Sequence, residues 1–336
     1  MTERSGVLLL NLGTPDALTP RAVRRYLREF LSDHRVIDIP LLARKLLVEC
    51  IILPFRTRKS LRNYRSIWLP EGAPLRVYTE RIQRQLAAEL GGESLVKVAM
   101  RYGNPSISLA MAEFERAGIQ RITCIPLFPQ YSGAAWGSAV AEFMRIAAHR
   151  ENVVAIDVVP PYFAHPLFVQ AWTDLVRDAL GQQPDAHVLF SYHSLPVRQI
   201  RKADVDGSCQ LNAACCQRPP PSYCYRAQCE ATSRAIAASL ALPADRWTTA
   251  FQSRFGNAEW LSPATEESIR QLAAQKSRKL IVVSPSFVVD CLETLEELGI
   301  RGREVFLEAG GQSYQLVPCL QDSKTFVTCL HSLLRH

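Results

Sequence analysis

The sequence predicts an α/β protein built as two similar halves, each with a four-stranded parallel sheet flanked by helices. Three observations carry this expectation. Eight apolar, β-branched runs, at 6–12, 95–102, 121–128, 152–159, 187–192, 247–255, 279–284 and 304–308, read as strands. Amphipathic patterns fill most gaps between them, and strands that are apolar throughout imply parallel sheets covered on both faces. The halves also echo each other. Met100-Arg-Tyr-Gly-Asn104 closes the second run of the first half, and Ser253-Arg-Phe-Gly-Asn257 closes the second run of the other. One run later, Pro126-Leu-Phe-Pro129 is matched by Pro285-Ser-Phe287. A duplicated, doubly wound (Rossmann-like) domain with a cleft between the copies accounts for all three.

The helical segments carry their own start signals. Thr19 is an N-cap with Pro20 at the first helical position, and Val23, Tyr26, Leu27, Phe30 and Leu31 form one apolar stripe. Tyr78, Ile82, Leu86 and Leu90 recur every four residues, and Phe168, Trp172 and Leu175 keep helical spacing after His165-Pro166. These elements place a first domain at 1–160 and a second at 161–315, with the boundary near Pro160-Pro161. A closing helix within 316–336 is expected to pack back on the first domain.

At 336 residues, with 48% hydrophobic and 21% charged residues, the chain has the size and balance of a two-domain globular protein. The net charge of +7 favours anionic partners mildly. Its one dense basic group is Arg56, Arg58, Lys59, Arg62 and Arg65, and no nucleic-acid motif accompanies it. Nothing at the N-terminus reads as a signal peptide, and the apolar stretch 46–55 is too short to span a bilayer. A cytoplasmic location is expected. In a reducing compartment ten cysteines argue against a disulfide framework, and five of them fall between 209 and 229.

Two features could carry chemistry. His193 ends the buried run 187–192, and chemistry gathers at the carboxyl ends of strands in such sheets. An imidazole there can accept a proton or bind a metal near neutral pH, although a lone strand-end His is more often structural. The run 279–284 leads into Asp290-Cys-Leu-Glu-Thr-Leu-Glu-Glu-Leu298. On a helix, Asp290, Glu293 and Glu297 lie within about 60° of one another, while Leu292, Leu295 and Leu298 face away. Pattern alone makes the carboxylates a solvated face. Their position after a strand end lets Glu293 oppose His193, a pairing that can pass a divalent metal or relay protons.

The runs Gly6-Val-Leu-Leu-Leu-Asn-Leu-Gly-Thr-Pro15, Phe128-Pro-Gln-Tyr-Ser132, Phe190-Ser-Tyr-His-Ser-Leu-Pro196, Phe251-Gln-Ser-Arg-Phe-Gly256 and Asp290–Leu298 resemble, in order, the signature segments of ferrochelatase. The resemblance covers essentially the whole chain and implies a chelatase-like fold. Tyr64-Arg-Ser-Ile-Trp68 through Ala73-Pro-Leu75 further resembles bacterial enzymes that use protoporphyrin IX. It implies insertion of Fe²⁺ into protoporphyrin IX to form protohaem, with two protons released, in haem biosynthesis. By carry-over, His193 stands beside the pyrrole nitrogens as proton acceptor or iron ligand, with both roles open. Glu293 is its partner at the substrate iron, and Asp290 and Glu297 continue a path for metal or protons. Where the family often has a second His, this chain has Cys291.

The same resemblance assigns Arg101, Tyr102, Tyr131, Ser132, Ser253 and Trp260 to the porphyrin pocket. For Arg101 the bland alternative is a strand-end ion pair with a nearby acid. The segment 37–64 corresponds to apolar lips around the pocket mouth that rest on a membrane. Leu41, Leu42, Leu46, Leu47, Ile51, Ile52, Leu53 and Phe55 beside the basic group suit that role. A buried helix with a basic flank suits the same residues. The expected location is thus cytoplasmic, peripheral on the membrane's inner face, and the oligomeric state stays open between monomer and homodimer.

The segment 207–229 is an insert with the spacing Cys209-x5-Cys215-Cys216-x7-Cys224-x4-Cys229. It contains no Cys-x-x-Cys and no His, so an all-thiolate site is the natural reading, and thiolates select zinc, Cu(I) or iron–sulfur clusters. The family resemblance implies a [2Fe–2S] cluster held by an internal segment. Cys209, Cys216, Cys224 and Cys229 are the expected ligands, with Cys215 as the alternative to its neighbour. Free thiols in a loop are the bland reading. Competing functions are iron insertion into coproporphyrin III, a non-catalytic tetrapyrrole or metal carrier, and a redox sensor on a chelatase-like scaffold.

Overall fold

The computed structural model describes residues 5–92, 94–256, 258–274 and 279–334. Asn257, the last residue of the second echo, lies outside them. Contacts divide the chain into two units: 1–128, 133–160 and 327–336 in one, and 129–132 and 161–326 in the other.

The first unit holds β1 (Ser5–Gly13), β2 (Ser94–Tyr102), β3 (Arg121–Pro126) and β4 (Ala155–Val158) in the order β2-β1-β3-β4. The second holds β5 (His187–His193), β6 (Trp247–Gln252), β7 (Lys279–Val283) and β8 (Ser313–Leu316) in the order β6-β5-β7-β8. All pairings are parallel. The two orders are the same pattern repeated, so the duplication read from the sequence is present in the topology.

In the first unit Leu8, Leu10, Ala99, Ile122 and Cys124 pack against Ile107, Met111, Phe114 and Phe143 from helices on the sheet. In the second, Leu189, Ala250, Leu280 and Val282 pack against Ile269, Leu272, Leu298 and Phe306. Burial of each such Leu or Phe contributes about 1.5–3 kcal/mol.

The last strand falsifies one expectation. Residues 304–308 are not a strand but belong to the helix Arg303–Glu308, and β8 is the edge strand Ser313–Leu316. A short apolar run serves a helix face as well as a strand. Phe306 is its buried residue, while β8 is half-buried at every position and so shows no apolar run. Gly311 permits the turn between them: a Cβ there would lie 2.2 Å from the Phe306 ring.

The segment 41–65 is helical throughout, as Leu41–Leu46, Leu47–Ile52 and Leu53–Arg65. Its middle stretch is a π-helix, in which the Leu53 N–H reaches back to the Val48 carbonyl. Pro54 follows at once. Its ring and missing N–H disfavour an ordinary turn there, and the wider turn relieves that conflict. Val48, Ile52, Leu53, Leu61 and Tyr64 are buried, whereas Leu42 and Phe55 are 76% and 79% exposed. Among the described residues no helix is long and apolar enough to cross a membrane.

Candidate active site

The chain enters the second sheet at β5, adds β6 on one side and then β7 on the other. The crevice beyond the carboxyl ends of β5 and β7 is therefore a switch point, where doubly wound sheets bind ligands. His193 is the last residue of β5 and the first in that strand to leave full burial. Its Nδ1 lies 2.7 Å from the carbonyl oxygen of Ser194. A carbonyl only accepts, so Nδ1–H donates and the neutral ring presents a lone pair on Nε2. The backbone here is clamped: the Ser194 N–H donates to Gln252 O at 2.7 Å, and the Tyr225 hydroxyl donates to His193 O at 2.8 Å.

Glu293 and Glu297 lie on the helix Glu293–Gly302, which follows β7 and is a π-helix. Its i→i+5 hydrogen bonding widens the turn, so residues four apart come closer to eclipsing than in an α-helix. Leu298 faces the core from this helix, as its spacing predicts. The Glu297 carboxylate accepts from the Ser253 N–H at 2.9 Å and the Ser253 hydroxyl at 2.5 Å. Burial pushes its carboxyl above the usual range and outweighs the Ser253 bonds and the His193 and Arg301 charges; Glu293 adds to the rise.

Asp290 lies before the helix rather than on it. It is buried, and Thr294 Oγ1 donates to Oδ1 at 3.1 Å, the Cys319 N–H at 3.3 Å, and Gln321 Nε2 to the other oxygen. Burial raises its carboxyl despite these bonds. Cys291 beside it is buried. A cavity of about 370 Å³ has Gln252, Ser253, Arg254, Glu267, Glu297 and Arg301 in its lining.

Of the remaining second-unit residues, Tyr131 donates from its N–H to Gln228 Oε1 at 2.7 Å and sets its ring edge against Tyr223 at 4.9 Å. Ser132 is buried. Trp260 donates from Nε1 to Phe255 O at 3.0 Å and pairs through its backbone with Pro196, just past His193.

In the first unit, Arg101 and Tyr102 end β2 and converge on Asp33. Arg101 Nη2 and the Tyr102 hydroxyl donate to Asp33 Oδ2 at 2.7 and 2.8 Å, and Ser138 Oγ donates to the same oxygen. Burial alone would raise the Asp33 carboxyl, but the Ser138, Arg35 and Tyr102 bonds and the Arg101 charge hold it below the usual range. The strand-end ion pair considered for Arg101 is thus formed.

Four residues of these arrangements were not singled out from sequence: Ser191, Gln252, Tyr225 and Asp33. Ser191 Oγ donates to Gln252 Oε1 at 2.7 Å, and Gln252 Nε2 donates to Glu293 O at 2.9 Å, tying β5 through β6 to the helix Glu293–Gly302. For Ser191 and Gln252, polar side chains inside otherwise apolar strands were the available signal, because buried polar groups need partners.

The insert gathers its five thiols. Cys216 and Cys229 are buried, and Cys215 Sγ lies 4.0 Å from Cys216 Sγ. Burial pushes the Cys216 thiol up to about 12, with Cys215 and Cys224 adding to the rise. Burial also raises Cys209, Cys224 and Cys229, again with neighbouring thiols contributing. For Cys215 burial is outweighed by hydrogen bonds from the Asn212 and Gln210 backbone, and its thiol is lowered. Cys209, Cys215 and Cys224 line a cavity of about 340 Å³ with Asp204, Arg218 and Tyr223. Among the described residues no three His, Cys, Asp or Glu are arranged to hold a single metal ion.

Paired parallel sheets with an imidazole and carboxylates at a strand-end crevice define a protein of the metal chelatase class. Solved structures share the fold. SirB from Bacillus subtilis with Fe³⁺ superposes with a TM-score of 0.54 at 12% identity, over 77% of this chain and 87% of that one. CbiX, the terminal enzyme for biosynthesis of siroheme in denitrifying bacteria, gives 0.50 at 15% identity over 98% of both. Sequence narrows the class. The Ferrochelatase family model matches residues 4–336. Ferrochelatases of Legionella pneumophila (strain Paris) and Coxiella burnetii (strain CbuK_Q154) are each 42% identical, over 98% of both chains and over 99% and 94% respectively. This chain belongs to the ferrochelatase family, a lyase family of haem biosynthesis.

Proposed function

We propose that the protein inserts Fe²⁺ into protoporphyrin IX to give protohaem and two protons. The observation that carries this is the Nε2 lone pair of His193, fixed at the strand-end crevice of the sheet that also positions Glu293 and Glu297. As iron displaces the two pyrrole protons, Nε2 has the lone pair to accept one or to hold the metal. The raised carboxyl of Glu297 suits onward transfer of a proton, and Glu293 offers a carboxylate to the cation. Asp290 is held too deep in hydrogen bonds to act without rearrangement, so its part in the path is the less direct one. Arg101, Tyr102, Tyr131, Ser132, Ser253 and Trp260 are the residues assigned to porphyrin binding.

The test is anaerobic Fe²⁺ with protoporphyrin IX or coproporphyrin III, followed by the Soret band. Faster metallation of protoporphyrin supports the reading. Preference for coproporphyrin overturns the substrate, and tight porphyrin binding with no metallation makes the protein a carrier.

The donor set of the insert fits a thiolate-bound [2Fe–2S] cluster, held by Cys209, Cys216, Cys224 and Cys229 with Cys215 as the alternative. Four of the five thiols are raised, by burial and by the thiols beside them, and a cationic iron centre, which takes thiolates, would relieve that. Its chemistry would be one-electron transfer, which iron insertion does not consume, so a structural or sensing role follows. Freshly purified protein is expected to be coloured. Cys224→Ser should abolish the visible absorption, and an unchanged spectrum would refute this ligand set.

The segment 37–64 is assigned to the inner membrane surface on the cytoplasmic side. Leu41, Leu42, Leu46, Ile51 and Phe55 are all exposed, and Arg56, Arg58, Lys59, Arg62 and Arg65 follow them. Apolar side chains enter the acyl boundary while cations meet anionic headgroups. Delivery from a bilayer suits a poorly soluble porphyrin.

A further inference from the structure

We propose that Tyr314 is a positioning residue for Glu293 and Glu297, its hydroxyl holding the helix that bears them in its wide π register. The proposal rests on the reading that those carboxylates serve iron insertion. The helix Glu293–Gly302 is π-helical for ten residues and passes directly into the α-helix Arg303–Glu308. π-Helices are rare and mostly a single turn long, so contacts from outside the helix must hold one of this length. The register sets the site. A helix that tightened to the α step of about 100° per residue would swing Glu297 round relative to Glu293 and off the Ser253 donors.

Two side-chain donors grip the helix one wide turn apart. Gln252 Nε2 donates to the Glu293 carbonyl at 2.9 Å, and the Tyr314 hydroxyl donates to the Leu298 carbonyl at 2.7 Å. In an i→i+5 ladder the Leu298 carbonyl would receive the Arg303 N–H, but that N–H donates to Ile300 O. Tyr314 therefore supplies a donor where the wide turns give way to α-helix. Leu298 is buried, and a buried carbonyl needs a partner. Tyr314 is itself anchored: it pairs with Leu280 in the sheet, and its ring lies against that of Phe306 at 5.8 Å. Burial around the hydroxyl pushes the phenol up, so it stays protonated and donates. Gly302 makes the room, since a Cβ there would lie 2.6 Å from the Tyr314 hydroxyl oxygen.

Steady-state iron insertion and hydrogen–deuterium exchange of the segment 293–303 test this on wild type, Tyr314→Phe, Gly302→Ala and the double variant. Tyr314→Phe keeps the ring and removes the donor. Its kcat should fall about tenfold or more with KM for porphyrin unchanged, and exchange at 293–303 should rise by up to about tenfold, the ratio one hydrogen bond sustains. Gly302→Ala should do the same, although alanine is the better helix former, because its methyl displaces the hydroxyl. The double variant should be no worse than Tyr314→Phe, since both changes break one contact. Exchange at 187–193 should stay constant and so report an intact sheet. Wild-type kcat in Tyr314→Phe overturns the proposal, as do losses that multiply in the double variant. Should wild-type protein metallate neither protoporphyrin IX nor coproporphyrin III, the insertion reading fails by itself, and exchange at 293–303 decides. A rise in Tyr314→Phe then keeps the hold on the helix, and unchanged exchange overturns it.

Discussion

Ser253 donates both its main-chain N–H and its hydroxyl to the carboxylate of Glu297, at 2.9 and 2.5 Å, from a backbone held at φ +66°. Non-glycine residues seldom occupy that conformation, and it concentrates at functional sites. Here it turns two donors onto one oxygen pair at the end of β6. The donors favour the ionised carboxylate, and burial opposes them and prevails.

That balance sets a sign for stability. Because the Glu297 carboxyl is raised in the folded chain, the folded state keeps a proton that the unfolded chain releases. Stability then falls as pH rises from the unfolded carboxylate range through the folded pKa. Glu297→Gln removes the effect. Its thermal midpoint should exceed that of wild type at pH 8, with the gap closing toward pH 4, while insertion activity falls. A wild-type advantage at pH 8 would contradict the assignment.

Asp33 has the opposite sign. Its carboxyl is held low in the folded chain by Ser138, Arg35, Tyr102 and Arg101 against the cost of burial. Its stabilisation is present above the unfolded pKa and is lost as pH falls through the folded one. With Asp33 3% exposed and Arg101 19%, Asp33→Asn leaves a largely buried cation without its partner. Urea melts at neutral pH should show a loss of about 3 kcal/mol, shrinking in acid.

The exposed row on 41–55 gives a third test. Leu42→Asp with Phe55→Asp should cut co-sedimentation with vesicles containing anionic lipid by about tenfold or more. Undiminished binding would remove the segment's membrane role.

Much of this was legible in sequence. The duplication follows from apolar runs and the Met100–Asn104 echo, with seven of the eight strands falling on those runs, and burial of Leu298 follows from its spacing. Where legibility failed, local chemistry was ambiguous. The run 304–308 fits a helix or a strand, and only the packing of Phe306 decides it. The helical wheel placed Asp290 with Glu293 and Glu297, yet the helix begins after it and the turns are wider than α. Contacts such as Tyr225 with His193 join residues 32 apart in sequence, and no periodicity encodes them.

The most direct measurement is the initial rate of anaerobic Fe²⁺ insertion into protoporphyrin IX by wild type and His193→Ala, with circular dichroism and visible spectra taken on both. The expected result is a loss of at least about 10²-fold in kcat, the scale of a removed proton acceptor, with fold and cluster absorption retained. A correctly folded His193→Ala protein that inserts iron at the wild-type rate would contradict the account.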